Sequence, residues 1–172
     1  MKIAYQGIPG SYSESCAKSN YPDCETISCK TFDECFEIAN KDSSIKTIIP
    51  ESNKTTGNIG VEFLIFKYRL NIYAEHFFSI KHNLLGLKGS SIDNIKDVYS
   101  HAQALSQSSE FIKANNLNEN VRADTAGSAK YVSETKDKTK AAIASNLSAE
   151  IYDLEIIDED IQDDKENFTR FL

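Results

Sequence analysis

The feature that most constrains the fold is a repeated unit: a short β-type run, a polar or glycine break, then a helix N-terminus. KIAYQ (2–6) is such a run, and GIPGS breaks it with glycine and proline. SYSE (11–14) then has the S-x-x-E form of a capping box. ETISC (25–29) reads as a second strand, and TFDE (31–34) is another capping box. It opens a helix whose Phe32, Cys35, Phe36 and Ala39 recur at the spacing of one buried face. IKTIIP (45–50) is a third strand ended by Pro50, ESNKTTGN (51–58) a polar loop, and IGVEFLIFKYRL a helix. Strands alternating with helices predict a parallel sheet.

NIYAEHFFSIKHNLLG (71–86) interrupts that rhythm, and alternation at Phe78, Ile80, His82 and Leu84 predicts an extended crossing segment. The pattern then resumes. Strand DVYS (97–100) precedes a helix over 102–113, VRAD (121–124) a helix from about Ala126, and AAIA (141–144) a helix over 146–152; EIID and FTRFL read as the last strands. The class is α/β, a single unit over 1–172 made of two βα lobes. The expected lobes are about 1–74 plus 156–172, and about 75–155.

A chain of 172 residues supports one sizeable core or two small lobes, not two ordinary domains. Its net charge of -7 argues against a nucleic-acid surface, which needs clustered Lys and Arg. A small anion is still compatible, because a few local donors outweigh a distant field screened over ~8–10 Å. No apolar run approaches the ~20 residues of a membrane span, and no secretory signal opens the sequence, so no membrane partner and a cytoplasmic location are expected. Cys16, Cys24, Cys29 and Cys35 lack C-x-x-C pairing and a neighbouring His, which disfavours zinc. They read as core thiols, and Cys35 fits a buried helix face. His76, His82 and His101 are scattered and read as structural. The acidic stretch at 155–168 lacks the glycine-centred spacing of a calcium loop and reads as a solvated face, so no metal site is expected.

Each strand-to-helix junction carries hydroxyl or amide side chains: Ser11 and Ser13; Ser52, Asn53, Thr55 and Thr56; Ser100 and Gln103; Thr125 and Ser128; Ser145. In a parallel sheet such junctions lie at the carboxyl ends of the strands, where open α/β folds bind ligands. Helix N-termini there suit a carboxylate or phosphate.

IAYQGIPGSYSESCA (3–17), YSHAQALSQ (99–107), DTAGSA (124–129), AAIAS (141–145) and IQDDKENFTRF (161–171) resemble the successive signature blocks of prephenate dehydratases, in the family's order. The resemblance implies a two-lobed fold like the type II periplasmic binding proteins, with a ligand cleft between the lobes, commonly dimeric. It also implies the reaction: prephenate, a dicarboxylate, loses water and carbon dioxide to give phenylpyruvate in phenylalanine biosynthesis. Aromatisation drives that step, so no cofactor is expected.

Carried over by motif, Thr169 would donate to the departing hydroxyl, and Asn53, Ser100 and Gln107 would complete the catalytic set. Ser100 and Gln107 are seven apart, which places them on one face of a helix starting after Ser100. Ser11, Tyr12 and Ser13 of the first block, Lys54 and Thr55, the Thr125, Ala126 and Gly127 run, and Phe168 would contact substrate. Arg170 offers a planar fork for a carboxylate, with bracing of a neighbouring loop as the alternative. Phe171 reads as core.

Two departures stand out. The family's P-I-E-N-S-x-x-G loop here reads PESNKTTG, with Ser52 where Glu is usual and Lys54 where Ser is usual. Family members generally continue into a small regulatory ACT domain that binds phenylalanine, whereas this sequence stops at Leu172, so that feedback is not expected. The amino-group analogue arogenate is an alternative substrate, and a silent carboxylate-binding protein is the alternative to an enzyme.

Overall fold

The computed structural model describes all 172 residues, which divide into two compact units. The first comprises Met1–Ile8, Tyr12–Ile80 and Asn167–Leu172, the second Pro9–Ser11 and Lys81–Glu166. The mixed α/β class is as the sequence predicts.

In the first unit, β1 (Lys2–Gln6) lies between β2 (Glu25–Cys29) and β3 (Ile45–Ile48), all parallel. Successive residues of β1 face opposite ways. Ile3 and Tyr5 pack with Cys16 and Ala17 of α1 (Tyr12–Asn20), whereas Ala4 packs with Cys35 and Phe36 of α2 (Phe32–Lys41). Both sheet faces are thereby covered, which is why three consecutive β1 residues are buried. Thr31 caps α2 by accepting from Glu34 N–H at 3.1 Å, as the second capping box predicts. The Glu34 carboxylate reaches one residue further back, to Lys30 N–H at 2.6 Å.

The predicted polar loop at 51–58 is instead half of a second sheet. β4 (Pro50–Asn53) turns at Gly57, with φ +78°, into β5 (Gly57–Asn58). After α3 (Glu62–Tyr68) and β6 (His76–Ser79), the closing strand β12 (Phe168–Phe171) inserts between β4 and β6, giving an antiparallel order β5-β4-β12-β6. Local composition hides β4, because Ser52 and Asn53 are held in it by pairing with Arg170 and Thr169, more than a hundred positions away. Pro50 costs no ladder bond at the first position of a strand.

In the second unit, β7 (Asn83–Gly86), β8 (Asp97–His101), β9 (Asn118–Arg122), β10 (Lys140–Ala144) and β11 (Glu155–Asp158) form one sheet, ordered β11-β7-β10-β8-β9. β8 is parallel to β9 and β10, and β7 is antiparallel to β10 and β11, so the sheet is mixed rather than wholly parallel. Leu84, Val98, Ala141 and Ile143 face Leu105 and Ile112. On the other side, Leu85, Ala142 and Ala144 face Ala129, Val132 and Ala149. These partners come from α4 (Ala102–Ser106), α5 (Ser109–Ala114), α6 (Thr125–Thr135) and α7 (Asn146–Ile151). No helix is long and apolar enough to cross a membrane.

Three expectations change. β11 pairs with β7, so 155–166 belongs to the second unit and the boundary falls at 166/167, not near 156. The helix over 102–113 is two helices broken at Gln107 and Ser108. The second starts there because the Asp163 carboxylate accepts from Ser109 N–H, Ser109 Oγ–H and Glu110 N–H at 3.1, 3.0 and 3.1 Å. Third, Pro9–Ser11 goes with the second unit, where Ser145 Oγ and Ser148 Oγ donate to Gly10 O at 2.6 and 2.8 Å and Tyr152 Oη donates to Pro9 O at 2.7 Å.

Gly10 has φ +93°, and an added Cβ would stand 2.6 Å from Ser148 Oγ and 3.0 Å from Ser148 Cα. Gly10→Ala is therefore expected to cost roughly 1–3 kcal/mol, read as a fall in urea midpoint.

Candidate active site

FTRF alternates as a strand should. Thr169 and Phe171 are buried, while Arg170 and Phe168 point the other way. In register, Thr169 lies opposite Asn53, and Asn53 is the hub of the first unit's polar cluster. Its Oδ1 accepts from Thr55 N–H at 3.0 Å, Thr55 Oγ1–H at 2.6 Å and Thr56 N–H at 3.3 Å. Backbone N–H groups only donate, so this end of the amide is oxygen, and the other end is fixed as the donor. Nδ2 then donates to Asn167 Oδ1 at 2.9 Å, Phe168 O at 3.1 Å and Thr169 Oγ1 at 2.9 Å.

The direction of that last bond has a chemical result. Thr169 Oγ1 receives a hydrogen, so its own proton is not used on Asn53 and is available to another acceptor. Asn53 and Thr169 are each 6% exposed, and Asn167 is 1% exposed, so the donor is held in a nearly dry setting where its hydrogen bond is stronger.

Arg170 is committed elsewhere. Its Nε donates to Glu75 Oε2 at 2.8 Å and its Nη1 to Glu51 Oε2 at 3.2 Å. It sits on the face of β12 opposite Thr169, so it braces Glu51 and Glu75 rather than offering its fork beside that hydroxyl. A register shift in β4 between the partners of Arg170 and Phe171 lets Glu51 reach Arg170, and Ser52 donates to the same carboxylate at 2.5 Å. Glu51, the neighbour of Ser52, thus makes the Arg170 contact within this unit. Lys54, Thr55 and Thr56 are exposed, and Lys54 Nζ lies 6.0 Å from the Phe168 ring centroid.

The second unit holds Ser100 and Gln107, but not on one helix face. Ser100 is on β8, fully buried, and its Oγ donates to Ile143 O at 2.6 Å, so its proton is spent on the sheet. Gln107 is the C-cap of α4 and partly exposed. His82, 2% exposed, places Nε2 2.9 Å from Gln107 Oε1. The His82 main-chain N–H donates to Gln162 Oε1 at 2.8 Å. Burial lowers the proton affinity of this imidazole, partly offset by the Gln107 bond. His82 is thus the buried, hydrogen-bonded histidine the sequence predicts, on the buried phase of the 78–84 alternation.

The remaining expected contacts are divided. Thr125 is half-buried, Ala126 is wholly buried core, and the Gly127 N–H donates to the Asp124 carboxylate at 2.5 Å. The cap takes up one of the donors at the α6 N-terminus, the Gly127 N–H. Ser13 is buried in α1, Ser11 is half-buried, and desolvation pushes the Tyr12 phenol well up from its ordinary value. No three His, Cys, Asp or Glu side chains are grouped to hold a metal ion.

These features define a two-unit α/β protein in which a strand-borne asparagine amide bonds a buried hydroxyl in one unit and a glutamine side chain lies against a buried histidine in the other. The sequence model of the prephenate dehydratase family matches residues 3–172, and the chain belongs to that family. Arogenate dehydratase 2 of Petunia hybrida is 39% identical over 173 residues, covering 100% of this chain and 44% of that protein. The chain thus spans less than half the length of that curated relative. Among solved structures, one described as "GqqA- a novel type of quorum quenching acylases" superposes with TM-score 0.91 at 33% identity, covering 99% of this chain and 62% of that one. The prephenate dehydratase of Staphylococcus aureus subsp. aureus Mu50 gives TM-score 0.85 at 27% identity, covering 100% of this chain and 65% of that one.

Proposed function

We propose that this chain is the catalytic part of a carbon–oxygen lyase that converts prephenate to phenylpyruvate. In that reaction the ring C–O bond breaks as the bond to the ring carboxylate supplies its electron pair. Carbon dioxide leaves, and the ring becomes aromatic. The protein must meet the charge growing on the departing oxygen. The observation that carries the reading is the Asn53 Nδ2 bond to Thr169 Oγ1, which leaves the threonine proton for that oxygen. A threonine hydroxyl is too weak an acid to give up its proton outright at neutral pH, so Thr169 acts as a positioned hydrogen-bond donor. Gln107 contributes an amide donor, and Lys54 attracts the substrate's negative charge.

Acyl transfer fits this hydroxyl less well. A nucleophilic threonine needs a base to take its proton, and within the first unit the group bonded to Thr169 Oγ1 is an amide N–H.

The deciding experiment incubates the purified protein with prephenate and, separately, arogenate, without added metal, and measures phenylpyruvate and phenylalanine. Phenylpyruvate from prephenate is the expected result; phenylalanine from arogenate alone reassigns the substrate. Binding of either by calorimetry with no product makes the protein a silent binder. In the same assay Lys54→Ser is expected to raise KM several-fold, and a rise in kcat would instead mark the lysine as an obstacle to turnover.

A further inference from the structure

We infer that His82 is a positioning residue for Gln107: its imidazole N–H holds the glutamine carbonyl oxygen and turns the amide's NH2 end away from the ring, as the donor a substrate meets. This rests on the dehydratase reading and adds to it a group that does not touch the substrate.

Both ends of the bond are clamped by one segment. Ile161 N–H donates to His82 O at 2.8 Å, and Gln162 Oε1 accepts from His82 N–H at 2.8 Å. One residue on, Asp163 N–H donates to Gln107 O at 2.7 Å. The Asp163 carboxylate fixes the start of α5 immediately after Gln107. Residues 161–163 thus hold the main chain of the histidine and of the glutamine together, so the spacing between their side chains is imposed by the fold. Gln107 Oε1 and His82 Nε2 meet at 2.9 Å within that frame.

The chemistry gives the contact its purpose. A glutamine amide has an accepting end and a donating end of almost the same shape, and a long flexible stem whose ordering costs side-chain entropy. A donor fixed at Oε1 selects one end and removes much of that freedom before substrate arrives. A buried imidazole is itself costly unless hydrogen-bonded, and an aliphatic side chain would fill the space without that cost. Burial also keeps the ring neutral, and a neutral imidazole has one N–H, which the bond to Oε1 requires on Nε2.

The test is a double-mutant cycle of His82→Leu and Gln107→Ala, with thermal melts to confirm folding. His82→Leu alone is expected to lower kcat/KM by ~10–100-fold, mainly in kcat, the range typical of residues that orient a functional group. In the Gln107→Ala background the same change should cost less than about two-fold. His82→Gln, which keeps an N–H donor on a similar stem, should recover part of the loss and serves if the leucine variant does not fold. Additive effects, or no recovery in His82→Gln, overturn the inference. A ¹⁵N-resolved imidazole spectrum is measured alongside. It is expected to show the Nε2–H tautomer, with a shift that moves in Gln107→Ala; the Nδ1–H tautomer or an unmoved shift overturns it. If the wild type turns over neither prephenate nor arogenate, the dehydratase reading fails by itself and the spectrum still decides the His82–Gln107 clamp.

Discussion

On the proposed dehydratase reaction, Thr169→Ala is expected to lower kcat for prephenate by ~10²–10⁴-fold while KM changes less than a few-fold, because the hydroxyl would meet charge that exists only in the transition state. The same substitution should leave folding nearly untouched. Asn53 Nδ2 has two hydrogens and three acceptors in this structure, and Asn167 Oδ1 and Phe168 O remain when Thr169 Oγ1 is removed. No buried donor is orphaned, so a stability loss under about 1 kcal/mol is anticipated. Thr169→Ser, which keeps the hydroxyl, should retain most of the turnover. Steady-state kinetics with a urea titration of each variant separates the two effects. An alanine variant with wild-type kcat would remove Thr169 from the chemistry.

Asn53→Asp should be the more damaging change, for the opposite reason. The aspartate preserves shape and keeps one oxygen for Thr55 and Thr56, but its second oxygen faces Asn167 Oδ1, Phe168 O and Thr169 Oγ1. Acceptor meets acceptor there, in a site 6% exposed. The expected cost at neutral pH is about 3 kcal/mol or more. Thr169 can relieve part of the conflict by turning its proton to the new carboxylate, which withdraws that proton from the substrate and abolishes turnover. Opposing acceptors raise the folded-state proton affinity of the introduced acid above its unfolded value. The native form then binds more protons, so the variant should lose stability as pH rises above the ordinary aspartate range and regain it on acidification. Urea midpoints at acid and neutral pH read this directly; a pH-independent loss would point to a packing defect instead.

Much of the site was legible because side-chain direction is local. Strand alternation in FTRF puts Thr169 inside and Arg170 on the other face, and that alternation is printed in the sequence. The match of NFTRF to the family identified Thr169 as the hydroxyl of interest. What the same residues did not reveal was where Arg170 would spend its charge, since Glu51 and Glu75 lie 119 and 95 positions away. The seven-residue spacing of Ser100 and Gln107 was misleading. It assumed one helix, whereas Ser100 ends inside a strand bond to Ile143 and Gln107 caps a helix that stops there.

The sequence by itself determined the alternation of strands and helices, the Thr31 cap, the inward and outward phases of the closing strand, and the family. Only the tertiary structure decided that β4 exists, that Asn53 stands opposite Thr169, that Asp163 fixes the start of a new helix after Gln107, and that His82 lies against that glutamine's side chain. The physical reason is one of range. Periodicity and capping are set by neighbours a few residues apart. The direction of a hydrogen bond between residues 53 and 169 depends on strand pairing across most of the chain, which no local pattern encodes.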